Sequence, residues 1–146
     1  MVGTITENFI LNDQDGNTFN LYENLDEPIL LVFYPKDDSS VCTKQLSNYQ
    51  EQLQLLKNAG LKLVAINTGS ESSHKSFCSK LTLKFPILAD TTKSVSRQFN
   101  ALNILGINKR KLVLINRNKR IEFEKSVLPN MYVSASKILK LVKQLI

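Results

Sequence analysis

The 146-residue chain, 42% hydrophobic and 22% charged, has the size and composition of one globular domain spanning residues 1–146. The longest apolar run, ILLVFY at 29–34, is far short of the roughly 18 residues of a membrane helix, and Met1 to Asn8 carries neither a basic start nor an apolar segment, so the expectation is a cytoplasmic protein with no membrane partner. The net charge of +6 raises the question of nucleic acid, but with 8% aromatic residues, no Trp and no zinc or DNA-binding spacing the reading is a solvated lysine-rich face and no nucleic-acid partner.

From the N-terminus, FILNDQDGNTFNLYENL (9–25) places the turn signal DQDG between short alternating segments, which predicts a β-hairpin. PILLVFYP (28–35) is continuously apolar between two prolines, the pattern of a strand buried on both faces. In 42–59 the spacing of Leu46, Tyr49, Leu53 and Leu56 predicts an amphipathic helix stopped by Gly60. LKLVAIN (61–67) reads as a second buried strand, and 70–81 as a helix capped by Ser70. A short strand at 85–90, a helix at 92–102, a hairpin of 111–116 with 120–127 about RNK, and a terminal helix at 134–146 complete the chain. Strands alternating with helices, followed by a late hairpin, imply an α/β sandwich with a mixed central sheet.

Chemistry-bearing residues are few. Two cysteines, Cys42 and Cys78, and one histidine, His74, make neither a disulfide scaffold nor a metal-ligand set, so no metal and no cofactor is expected. Cys42 opens the predicted helix at 42–59, where unpaired backbone N–H groups and the positive end of the helix dipole favour a thiolate. On position alone, a reactive thiol and a small buried hydrophobe fit equally well. His74 reads as solvated helix polarity or a cap, and Cys78, beside Phe77 and Leu81, as an apolar helix residue.

The surroundings of Cys42 separate the two readings. YPKDDSSVC spaces Pro35, Ser39 and Cys42 as P-x-x-x-[ST]-x-x-C, which resembles the peroxiredoxin signature. FYPKDD, CTK, SHKSF (73–77), FPILAD (85–90) and Arg110 leading into LVLIN occur in the order of the bacterioferritin-comigratory, or peroxiredoxin Q, branch, and the resemblance covers nearly the whole chain. It implies a thioredoxin-like fold and a thiol-dependent peroxidase. There Cys42 is the peroxidatic cysteine, Ser39 bonds the thiolate or the peroxide, Arg110 supplies a permanent charge, Pro35 shields the pocket, and the N–H groups of Val41 and Cys42 face the oxygens. In a subset of the branch the resolving cysteine stands where Cys78 stands, which implies an intramolecular Cys42–Cys78 disulfide reduced by thioredoxin or a similar dithiol protein. The branch is often monomeric. Three departures are visible: Ser40-Val41 replaces Pro-Gly, Gln45 replaces Glu, and Ser47 replaces a nearer second cysteine. The Ser40 hydroxyl is a candidate cap for the helix. The departures also keep open a rival class, a thioredoxin-fold binding module or holdase that has lost catalysis.

Overall fold

The computed structural model describes residues 1–146. A hairpin of β1 (Ile10–Asn12) and β2 (Thr18–Asn20) leads through a single 3-10 turn to β3 (Ile29–Phe33), followed by α1 (Ser40–Glu51), α2 (Leu53–Asn58) and β4 (Lys62–Asn67). Next come α3 (Glu71–Leu81), β5 (Ile87–Ala89), α4 (Ser94–Gln98), the antiparallel pair β6 (Arg110–Ile115) and β7 (Ile121–Val127), and α5 (Ala135–Val142). One seven-stranded sheet runs in the order β2-β1-β5-β4-β3-β6-β7, with β3, β4 and β5 parallel and the others antiparallel to their neighbours. It is the mixed sheet and N-terminal hairpin that the patterning implies.

Every residue of β3 is buried, and its side chains alternate between two separate cores. Leu30, Val32 and Tyr34 point into the larger core, with Leu46 and Tyr49 of α1, Phe77 of α3 and Ile138 of α5. Ile29, Leu31 and Phe33 point the other way, onto Phe9, Leu21, Val95 and Phe99. Strands β4 and β6 divide their side chains in the same manner: Leu63 and Leu112 belong to the first core, Val64 and Val113 to the second. The sheet is therefore a wall between two apolar layers, and the parity of a residue in a strand decides which layer it meets.

Four points differ from expectation, one being that the terminal helix predicted to run to 146 ends at Val142. The helix predicted at 42–59 begins at Ser40 and breaks at Gln52, so Leu53 and Leu56 belong to a separate short helix that Gly60, at φ +78°, still closes. The predicted helix at 92–102 is cut to α4 because Asn100 turns left-handed at φ +51° and Ala101 N–H bonds back to Ser96. Ser39, not Ser40, caps α1, accepting from Cys42 N–H at 3.4 Å. Ser70 caps α3 as expected and Ser134 caps α5. No helix is long and apolar enough to cross a membrane.

Leu31 has no exposed surface in the central strand. Truncation there leaves a cavity that the flanking strands cannot close. Leu31→Ala is expected to lower the unfolding free energy by about 2–5 kcal/mol, read as a shift of the urea midpoint with little change in slope.

Candidate active site

The site forms where β3 ends. The β3–β6 register pairs Phe33 with Lys111, so one step further along β3, at Tyr34, the chain reaches the level of Arg110 at the start of β6. Parity then separates two neighbouring cations. Arg110 shares the face of Leu112 and Leu114, which is the α1 side; Lys111 shares the face of Val113 and Ile115, where its ammonium reaches Phe99 O at 2.7 Å and Glu124 at 3.1 Å. After β3 the chain crosses Pro35 to Ser39 and enters α1, whose first turn ends on Cys42. Two residues 68 positions apart thus meet: Arg110 Nη1 lies 3.3 Å from Cys42 Sγ and donates to it.

Arg110 is 2% exposed and held on three sides. The same Nη1 donates to Gln45 Oε1 at 2.5 Å, and Nη2 donates to Pro129 O at 3.0 Å. Gln45 Nε2 in turn donates to the Tyr49 hydroxyl at 3.1 Å, and that hydroxyl donates to Val133 O at 2.7 Å. Burial drives the Tyr49 phenol far above its usual range, so it stays a neutral donor. Gln45, where the resembled branch has an acid, keeps the acceptor for Arg110 but adds no charge. All the acceptors around the guanidinium are therefore neutral oxygens or the sulfur, and no carboxylate competes with Cys42 for its charge. Arg110 Nε is buried without a partner, which leaves one donor of the group uncommitted.

Cys42 itself has no exposed surface. Arg110 touches both its sulfur and a surface cavity of about 410 Å³ that Pro35, Ile107, Lys109, Leu128 and Pro129 also line. The guanidinium thus links the buried sulfur to the cleft. Pro35 lines this cleft. Ser39 lies in the turn that leads into α1. Its oxygen caps Cys42 N–H while its hydroxyl donates to Lys36 O at 3.2 Å, so it shapes the turn beneath the sulfur.

Cys78 lies on another helix, in the same core cluster as Cys42. It is 6% exposed on α3 and borders a different cleft, of about 350 Å³, with Gln14, Asp15 and Lys75. Both cysteines carry free thiols. Burial first, and then the charges of Asp15, Asp37 and Asp13, push the Cys78 thiol up to about 11.

Sequence reasoning misses a polar cluster beneath the turn. His74 is not solvated: it has no exposed surface, and its Nδ1 lies 2.7 Å from Asp37 Oδ2, with Nε2 3.3 Å from Asn67 O. Asp37 also accepts from Tyr34 OH at 2.5 Å and Ser73 Oγ at 2.6 Å. Burial alone would raise the Asp37 carboxyl, but the hydrogen bonds from His74, Ser73 and Tyr34 outweigh it and hold the group below its ordinary range. Asn67 completes the cluster by donating to Tyr34 O at 2.7 Å and Pro35 O at 3.0 Å. The one signal of it in the sequence is the acid pair in KDD standing before the helix, with the chain's one His in the next helix.

The fold is shared with proteins of one class. A peroxidoxin from Mycobacterium tuberculosis, BcpB, aligns with a TM-score of 0.81 at 24% identity over 88% of each chain. A 2-Cys peroxiredoxin from Plasmodium vivax in its reduced state aligns with a TM-score of 0.90 at 22% identity, covering 99% of this chain and 95% of the other. These likenesses define a thioredoxin-like peroxiredoxin fold. Residues 2–124 match the AhpC/TSA family, and the chain belongs to that family. Among curated relatives, chloroplastic peroxiredoxin Q of Triticum aestivum is 35% identical over 97 residues, 66% of this chain and 45% of that protein. Chloroplastic peroxiredoxin Q of Suaeda salsa is 30% identical over 118 residues, 80% of this chain and 55% of that protein. The chain spans about half the length of the curated relatives it matches.

Two outcomes follow from the geometry. Arg110→Ala is expected to lower the rate of Cys42 oxidation by peroxide about a hundredfold, with a smaller loss of thiolate measured by absorbance at 240 nm on a Cys78→Ser background; loss in equal proportion would mean that Arg110 acts on the thiol alone. The raised Cys78 thiol favours the protonated form in the fold. Its contribution to stability is complete below the ordinary thiol value near ~8.5 and is lost as pH rises through about 11. The urea midpoint should therefore fall further between pH 8 and pH 11 in the wild type than in Cys78→Ala.

Proposed function

We propose that the protein is a thiol-dependent peroxidase that reduces hydrogen peroxide and organic hydroperoxides through Cys42. The observation that carries the reading is the 3.3 Å contact from Arg110 Nη1 to Cys42 Sγ at the start of a helix. The thiolate attacks one peroxide oxygen, the sulfur loses two electrons, and the O–O bond breaks. Cys42 becomes a sulfenic acid, and the departing oxygen takes a proton and leaves as water or alcohol. Ionisation of the thiol adds little by itself to such a reaction. Shifting a thiol from about 8.5 to about 6 raises its ionised fraction at pH 7 only from roughly 3% to roughly 90%, about thirtyfold, and lowers its nucleophilicity as well. The larger share comes from donors aimed at charge building on the leaving oxygen. Arg110 Nε, buried with no hydrogen-bond partner, is the candidate for such a donor.

Resolution falls to Cys78. Its sulfur attacks the Cys42 sulfenic sulfur; the disulfide forms, hydroxide leaves from Cys42, and the Cys78 proton converts it to water. A disulfide needs Cα atoms within about 7 Å, and the two thiols belong to separate helices, with Cys78 bordering a cleft that Cys42 does not line. The turn from Ser39 to Thr43 and the end of α3 that bears Cys78 therefore open in each cycle. Opening also releases Cys78 from the burial that keeps it protonated. Thioredoxin or a similar dithiol protein then reduces the disulfide, and the protein works as a monomer.

The test is peroxide-dependent oxidation of a thioredoxin system. Cys42→Ser should abolish turnover, and Cys78→Ser should stop recycling by thioredoxin while one equivalent of peroxide is still consumed. In the wild type that equivalent should remove two hydrogens from the intact mass. A lasting sulfenic or sulfinic acid would instead make this a one-cysteine enzyme. No peroxide consumption, together with suppression of client aggregation, would favour a binding module or holdase of the same fold.

A further inference from the structure

Peroxide attack and disulfide formation make opposite demands on the same segment. The first requires the Ser39–Thr43 turn to be wound against Arg110; the second requires it to unwind, together with part of α3. Something must hold both segments until the sulfenic acid has formed and then release them together.

The structure holds them with one carboxylate. Asp37 stands in the loop just ahead of the α1 cap and is 8% exposed. Its Oδ2 takes Ser73 Oγ at 2.6 Å and His74 Nδ1 at 2.7 Å, both from α3, one turn ahead of Cys78. Its Oδ1 takes the Tyr34 hydroxyl at 2.5 Å, from the end of β3. Tyr34 belongs to the same core cluster as both cysteines and stacks near Phe77, the residue before Cys78, with ring centroids 6.2 Å apart. Next to Asp37, Asp38 adopts a left-handed backbone at φ +63°, which a non-glycine residue holds only when its surroundings impose it. Its carboxylate meets Lys80 Nζ of α3 at 3.1 Å, an exposed pair of small worth. The strain and the clasp thus occupy adjacent residues.

We propose that Asp37 is a positioning residue that clasps the loop before Cys42 to α3, and that release of this clasp is the step that limits disulfide formation once Cys42 is oxidised. The inference rests on Cys78 being the resolving cysteine. Opening separates Asp37 from Ser73 and His74, relaxes Asp38, and frees both cysteine segments in one event. The charge-assisted bonds to a carboxylate shielded from water are the strongest ties between the loop and α3. Their strength sets how long the sulfenic acid waits, and so how readily a second peroxide takes Cys42 on to the sulfinic acid. Asp37 touches neither Cys42 nor Arg110, so weakening it leaves peroxide attack in place.

The experiment follows both steps by quench-flow mass spectrometry after mixing reduced full-length protein with hydrogen peroxide, trapping sulfenic acid with dimedone. In Asp37→Asn the attack step should stay within about threefold of wild type, while disulfide formation accelerates about tenfold, the worth of one charge-assisted bond. Under excess peroxide the fraction of sulfinic Cys42 should fall. Ser73→Ala, a milder change at an exposed position, should accelerate disulfide formation about threefold. A merely structural defect slows both steps; equal slowing, or unchanged disulfide formation in Ser73→Ala, overturns the proposal, and the latter decides the matter alone if Asp37→Asn does not fold. A wild-type sulfenic acid that never becomes a disulfide removes the resolving role of Cys78 and the clasp with it. That outcome is visible before any variant is compared.

Discussion

A guanidinium pressed against a thiol is the interaction on which this architecture depends. Arg110 and Cys42 stand 68 positions apart, and no local propensity brings them together. The antiparallel register of β3 with β6 does, by setting the end of one strand level with the start of the other. Parity completes the work, because a shift of one residue would present Lys111 to the cysteine and Arg110 to the far core. Lysine there would offer a point charge on a flexible stem, whereas the planar fork of arginine serves Cys42, Gln45 and Pro129 from one rigid group.

Two buried polar networks surround the end of β3, and they divide the labour. One runs from Cys42 through Arg110, Gln45 and Tyr49 to Val133, and ties the Cys42 sulfur to the segment before α5. The other runs from Tyr34 through Asp37 to Ser73 and His74, and ties the turn beneath the sulfur to α3. Each is costly to leave half satisfied in an apolar surround. In the proposed cycle the first serves the wound state and the second governs departure from it.

The buried strands are legible in the sequence because their composition is extreme: ILLVF and LVAIN have little alternative to a two-faced wall between helices. Ser70 is legible as a cap because the helix period begins immediately after it. The start of α1 is harder, since Ser39 and Ser40 have equal chemistry and only the extended backbone at Ser39, φ −67° and ψ 150°, settles which one caps. The break at Gln52 leaves the apolar spacing of Leu46, Tyr49, Leu53 and Leu56 intact, so periodicity does not show it. His74 reads as solvated because a lone histidine in a serine-rich helix gives no sign of its partner, and that partner, Asp37, arrives through tertiary packing alone. Arg110 stands out only through a resemblance across many motifs. Its bare position in NKRKLVLINRNKR does not distinguish it from Lys109 or Lys111.

The central claim is that the protein directs its charge at an oxygen leaving group and does more than ionise a sulfur. The most direct measurement compares the rate constants of Cys42 toward hydrogen peroxide and toward iodoacetamide, each set against a small-molecule thiolate. Iodoacetamide responds to thiolate content and access but has no departing oxygen for a guanidinium to meet. The account predicts peroxide oxidation faster than the free thiolate by at least about a hundredfold, with alkylation no faster than the free thiolate. Equal enhancement toward both reagents would contradict it.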